Sequence, residues 1–309
     1  MRPSILLIAL VFALPTAAQV GPPAAGRQAA PAPSTVALPN AAGSLKIGVL
    51  GDFGSGSRRQ YELAAQMIKK HGVFPYELIL LVGDNIYGSE RPQAFEKKFV
   101  VPYKPLLDAG VKFYASLGNH DSREQRFYKP FNMDGKLYYS FKAPKQNVRF
   151  FALESTYPEP AQIAWLEQEL KDAREDWKVV FFHHPLYSSG ERHGSDTRLR
   201  DVLEPLFVKY GVSVVFTGHD HFYERIKPQK GILYFVVGSG GQLRSGNIDR
   251  STGITAAGLD TDNSFLVGEF LGDQFTFHAV ARSGQVVDSG SFTRRREEPP
   301  PGAYRAPAK

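Results

Sequence analysis

Val212-Ser213-Val214-Val215-Phe216-Thr217-Gly218-His219-Asp220-His221 is an apolar run that stops at a glycine and then presents two histidines. The β-branched part reads as a buried strand. His219 and His221, two apart in extended chain, share a face and can grip one metal centre or two adjacent ones. The same punctuation recurs upstream. Lys46 to Leu50 leads into Gly51-Asp52-Phe53-Gly54, and Leu78 to Val82 into Gly83-Asp84-Asn85-Ile86-Tyr87. Val111 to Ala115 precedes Gly118-Asn119-His120-Asp121, and Lys178 to Phe182 ends at His183-His184. Helical spacing fills the intervals: Arg59 to Lys70, a helix starting at Pro160 with Ile163, Leu166 and Leu170 on one face, and Leu199 to Tyr210. Phe95 to Leu107 reads as partly helical, broken near Pro102 and Pro105. Leu137 to Phe141 and Val148 to Leu153 read as neighbouring strands, and Gly231 to Phe292 as mostly strands and glycine-rich turns. Alternating strands and helices giving way to antiparallel strands predict an α/β fold, with packed sheets and helices outside. Asp52, Asp84, Asn119, His183 and His219 then stand just past strand C-termini, the edge where such folds bind ligands.

With 309 residues, 42% hydrophobic and 22% charged, the chain can bury a full core. Arg2, the apolar run Ile5 to Leu14 and Pro15-Thr16-Ala17-Ala18 read as a secretory signal peptide over residues 1–18. Residues 19–44, rich in Ala, Pro and Gly, read as a flexible linker, 45–292 as the folded body, and 293–309 as a disordered basic, Pro-rich tail. The net charge of +6 is carried mostly by the two ends, which leaves about +1 on the body. A nucleic-acid partner is therefore not required, no stable membrane anchor is expected, and the sequence does not indicate an oligomeric state. With no cysteine, disulfides, a lipoprotein anchor and a thiol nucleophile are all excluded.

Carboxylate, amide, phenol and imidazole at strand ends are O and N donors without thiolate, a set suited to hard-to-borderline cations. Two acidic and three histidine clusters suffice for two cations, and a carboxylate, Asp52 or Asp84, can bridge them. Taken singly, each cluster also has a plainer reading: a turn aspartate, an ordinary loop Asn-His pair, a satisfied core histidine. His184 would point away from His183 in a regular strand and is left outside the site. His71 and His278 fall outside the clusters and read as solvated or structural. No phosphate-cradling G-x-x-x-x-G-K-[ST] and no G-x-S-x-G elbow is present.

The five ordered clusters resemble the metallophosphoesterase pattern GDxG, GDxxY, GNH(D/E), VxxH and GHxH, and Tyr87 sharpens the resemblance to the purple acid phosphatases. Ala161 to Trp177 and Leu206 to His221 are similar to the small, tartrate-resistant type. The resemblance covers about residues 45 to 245. It implies a four-layer fold, two packed mixed β-sheets flanked by helices, with a dinuclear metal centre at the strand ends. By the same resemblance Asp52, Tyr87 and His221 hold Fe(III), Asp84 bridges, and Asn119, His183 and His219 hold a divalent Fe, Zn or Mn. His120 would face phosphate and leaving group. His193, in Glu191-Arg192-His193-Gly194, would be the second substrate-side histidine, although its spacing from His183 is one residue longer and Arg192 stands where a glutamate is usual. The implied activity is that of an exported, periplasmic or secreted acid phosphatase, cleaving small phosphate monoesters by direct attack of a metal-bound hydroxide on phosphorus. The rival on the same scaffold is a phosphodiesterase or nucleotidase with Mn or Zn. A rival of another class, a binding protein with a degenerate site, should lack a ligand, and none is missing. Only Glu154 to Glu159 occupies the place of the long regulatory loop of mammalian members, so no activation by nicking is expected.

Overall fold

Apolar strands that are buried on both faces must be covered twice, and that requirement sets this architecture. In the computed structural model, which describes residues 35–294, the chain forms two sheets. The first has six strands: β1 (Leu45–Leu50), β2 (Leu78–Val82), β3 (Lys112–Ser116), β11 (Ser264–Leu271), β12 (Gln274–Ala281) and β13 (Val286–Thr293), in the order β13-β12-β11-β1-β2-β3. β1, β2 and β3 run parallel, while β11 pairs antiparallel with β1 and continues as a meander. The second sheet is built from β4 (Tyr139–Lys142), β5 (Val148–Ala152), β6 (Trp177–Phe181), β7 (Val212–Thr217), β8 (Tyr223–Ile226), β9 (Leu233–Val237) and β10 (Thr255–Leu259). Its order is β10-β8-β9-β7-β6-β5-β4, with β5, β6, β7 and β9 parallel.

The alternation of side chains places the central strands β5, β6, β7 and β9 of this second sheet between two cores. Phe150, Val179, Phe181, Val214, Phe216 and Phe235 face the first sheet. Phe151, Val180, Val215 and Tyr234 instead pack on Leu166 and Leu170 of α4 (Pro160–Asp172) and on Leu199, Leu203 and Phe207 of α5 (Thr197–Lys209). On the first sheet's side, α1 (Arg58–Val73) buries Leu63, Ala64 and Met67. The result is the four-layer arrangement, helices on two packed mixed sheets, that the motifs imply. Trp177 at the start of β6 crosses the interface: its indole N–H donates to the Gly272 carbonyl (2.8 Å) and its ring lies 5.1 Å from that of Phe270.

Three local readings change. The segment after β2 is helical throughout, as α2 (Pro92–Phe95), a π turn (Glu96–Val100) and α3 (Val101–Asp108). Pro102 and Pro105 lie inside this continuous run without ending it, and the Lys98 carbonyl, four residues before Pro102, accepts instead from the Gln60 side-chain amide. The ordered body starts before residue 45: Val36 N–H donates to Ser289 Oγ (2.9 Å), and Asn40 and Ala41 N–H donate to the Glu269 carboxylate (2.7 Å each). At the other end Thr293 belongs to β13, and Arg294 pairs with Asp176 and Asp273 (2.8 Å each). The signal-peptide segment, most of the linker and the tail beyond Arg294 lie outside the described residues. Among the described residues, no helix is long and apolar enough to cross a membrane.

Candidate metal centre

The C-terminal ends of β1, β2 and β3 in one sheet, and of β6 and β7 in the other, open at one edge. The first sheet supplies mainly oxygen donors there and the second imidazoles. Asp52 (φ 54°), Asp84 (φ 51°) and His219 (φ 69°) follow their glycines in left-handed backbone, a conformation that costs an L-residue about 1–2 kcal/mol. Hydrogen bonds across the edge hold them there. Asp52 Oδ2 accepts from His219 N–H (2.9 Å), and Asp84 Oδ1 accepts from His120 N–H (3.0 Å). Glycine is needed beside these side chains. A Cβ on Gly83, itself at φ 89°, would sit 2.5 Å from His183 Nδ1, and one on Gly118 would sit 2.2 Å from Asp84 Oδ1.

Two donor groups result. In the first, the Tyr87 hydroxyl lies 3.1 Å from Asp52 Oδ1, 2.9 Å from Asp84 Oδ2 and 3.2 Å from His221 Nε2. In the second, His183 Nε2 lies 3.1 Å from Asn119 Oδ1, 3.2 Å from His219 Nδ1 and 3.4 Å from Asp84 Oδ1. The Val82 carbonyl, 2.9 Å from His183 Nδ1, can only accept, so Nδ1 carries a proton and Nε2 is the nitrogen turned to this group, free to ligate once a cation displaces its own proton. Asp84 thus turns one oxygen to each group. Lone pairs converging in a buried space, with Asp52 and His183 fully buried and Asp84 nearly so, fit cations.

The titration behaviour of these groups has the same origin. Burial, with the Asp52 and Asp84 charges, pushes the Tyr87 phenol far up. Burial alone would lower His183, but Asp84 and Asp52 outweigh it and raise it to about 10. Burial and the neighbouring His183 push His219 down to about 2. A proton on His183 offsets the carboxylate charge, a task a cation can take over. The oxygen-rich group suits a hard ion, and the group with two imidazoles and two oxygens a borderline one.

All nine residues singled out in the sequence meet at this edge. The exposed His120 ring lies 5.0 Å from Tyr87, and the exposed His193 ring 4.3 Å from His219. Burial, then Arg244 and Arg192, hold His193 below the usual imidazole value. His184 differs from its sequence reading. β6 stops at Phe181, so strand alternation no longer applies, and the His184 ring packs 4.3 Å from His219. A ring nitrogen of His184 lies within 4.8 Å of those of His183 and His219. Its Nδ1 is held by Ser155 Oγ (2.9 Å), which also accepts from the His183 and His184 N–H groups (3.2 and 3.0 Å). With its lone pairs so used, the hydroxyl donates to Nδ1, leaving Nε2–H for the cleft.

Two supporting carboxylates carried no sequence signal beyond their motif neighbours. Asp121 ties two strand ends together, accepting from Gly118 N–H (2.9 Å), Asn85 N–H (3.0 Å) and Ile86 N–H (3.0 Å). Asp220 accepts from Ser188 Oγ (2.5 Å) and Gly194 N–H (3.2 Å), anchoring the loop that carries His193. His278 is structural: its Nε2 donates to the Val36 carbonyl (2.5 Å).

Two packed mixed sheets with paired O- and N-donor groups at one edge define a metal-dependent phosphoesterase. Residues 45–223, more than half of the chain, match the calcineurin-like phosphoesterase family, and the chain belongs to it. It is 28% identical over 251 residues to tartrate-resistant acid phosphatase type 5 of Oryctolagus cuniculus, an alignment spanning 67% of this chain and 77% of that one. It is 31% identical over 185 residues to Fe(3+)-Zn(2+) purple acid phosphatase 12 of Arabidopsis thaliana, spanning 52% and 39%. The purple acid phosphatase of yellow lupin (Lupinus luteus) seeds shares the fold at a TM-score of 0.68 and 20% identity, covering 83% of this chain and 55% of that one.

Proposed function

We propose that the protein is an exported acid phosphatase that hydrolyses phosphate monoesters at a centre of one Fe(III) and one divalent ion. The observation that carries this is the Tyr87 hydroxyl placed among Asp52, Asp84 and His221 at 2.9–3.2 Å, since phenolate is a hard ligand that suits Fe(III). The acid phosphatases among the relatives, one of them an iron–zinc enzyme by name, support the reading. Export rests on the apolar run Ile5 to Leu14 and the small residues after it.

Asp52, Tyr87 and His221 would hold the ferric ion, Asp84 would bridge, and Asn119, His183 and His219 would hold the divalent ion. When bound, the two cations neutralise phosphoryl oxygens and make water acidic enough to act at mildly acidic pH. The chain's own residues orient the ester. His120, beside Tyr87, and His193, beside His219, would protonate or stabilise the departing alkoxide. No protein nucleophile is needed. Metal analysis and a visible spectrum of protein from its own host, together with p-nitrophenyl phosphate turnover, test the reading. A purple, iron-containing, active protein is the expected result. A colourless, iron-free protein of full activity removes the iron assignment, and turnover of bis(p-nitrophenyl) phosphate alone makes the protein a diesterase.

A further inference from the structure

The loop carrying His193 and the loop after β9 form one frame around the metal centre. Glu191 N–H donates to the Asn247 carbonyl (2.9 Å), Asp249 N–H to the Ser189 carbonyl (2.8 Å), and Gly190 bridges to Ile248. Asp220 fastens the first loop, as described. The second is fastened to the cage itself: Gly241 and Gln242 N–H both donate to the Asp52 carbonyl (3.0 Å each), and Arg244 N–H to the His221 carbonyl (3.0 Å). Two arginines stand on this frame, Arg192 and Arg244. The Arg244 guanidinium feels the charge of Arg192, both act on His193, and Arg244 also interacts with Asp220, Tyr87 and Asp52. Neither pairs with a carboxylate among the described residues, and Arg244 Nη1 is buried with no hydrogen-bond partner. A charged donor left unsatisfied is costly, and two like charges held side by side add to that cost. Such an arrangement suits an anion, and the adjoining metal centre is where an anionic ester would lie.

We propose that Arg244, assisted by Arg192, binds a non-bridging phosphoryl oxygen and so selects phosphomonoester dianions over phosphodiester monoanions, an assignment that rests on the phosphatase reading above. The planar guanidinium fork suits two oxygens of one phosphoryl group. A diester has one of those oxygens alkylated and carries one charge fewer, so the arginines lose both an acceptor and an attraction.

The test uses full-length, metal-loaded protein with p-nitrophenyl phosphate and bis(p-nitrophenyl) phosphate. In Arg244→Gln the ratio of monoester to diester kcat/KM should fall about tenfold or more, chiefly through monoester KM. The exposed Arg192→Gln should lower it about threefold. Arg244→Lys should recover part of the loss, and the Ki of inorganic phosphate should rise as the ratio falls. Both substrates falling together, or an unchanged ratio with undiminished phosphate affinity, overturns the proposal. If Arg244→Gln fails to fold, Arg192→Gln decides by the same ratio. If the unaltered protein hydrolyses neither ester, the phosphatase reading fails, and calorimetric binding of inorganic phosphate against dimethyl phosphate still decides for the arginines.

Discussion

The cage of donor residues and the rim around it are built by different means. In the cage, side chains leave strand ends directly, with Asp52, Asp84 and His183 buried, and glycines with no room for a Cβ fix their approach. In the rim, His120, Arg192 and His193 are exposed, and two loops are held by backbone hydrogen bonds to one another and to the cage. The difference separates binding a metal from handling a substrate, since a change in the rim leaves the converging donors in place.

Asp84→Ala strikes both donor groups at once. It should lower p-nitrophenyl phosphate turnover by more than about a thousandfold and release metal, measured by elemental analysis of the purified variant. Retained metal with full turnover would dissolve the distinction between cage and rim. His120→Ala is the matching rim variant, with kcat expected to fall about a hundredfold or more at unchanged metal content. Gly83→Ala tests how tightly the cage is packed. Left-handed backbone plus the clash with His183 should cost about 2–4 kcal/mol in denaturant unfolding and weaken metal retention. Ser188→Ala removes the hydroxyl that Asp220 accepts. It should lower kcat/KM only severalfold, about 1 kcal/mol, with the metal content intact. A metal-free Ser188→Ala protein would show that rim and cage are one unit.

Much of the cage was legible because its signal is local: an apolar run, a glycine, then a donor, repeated along the chain. The α/β alternation was legible for the same reason, since strands such as β2 and β6 are covered on both faces and read as continuous apolar runs. His184 was not, because its direction depends on β6 ending two residues before His183. Residues 35–44 look like spacer by composition, yet they are docked through backbone groups that any sequence possesses. Arg244 lay in an unremarked glycine-rich stretch, Gly238 to Gly246. Its place beside the site follows from a loop-to-loop hydrogen-bond frame with no pattern in sequence.

Trp177 has a use beyond packing. Of the chain's two tryptophans, Trp165 sits on α4 partly exposed beside Tyr138, while Trp177 is sealed between the sheets among Phe270, Phe275 and Phe292. Indole emission shifts to longer wavelength as the ring meets water. The protein therefore carries its own fluorescent gauge of sheet separation, read most cleanly in a Trp165→Phe background.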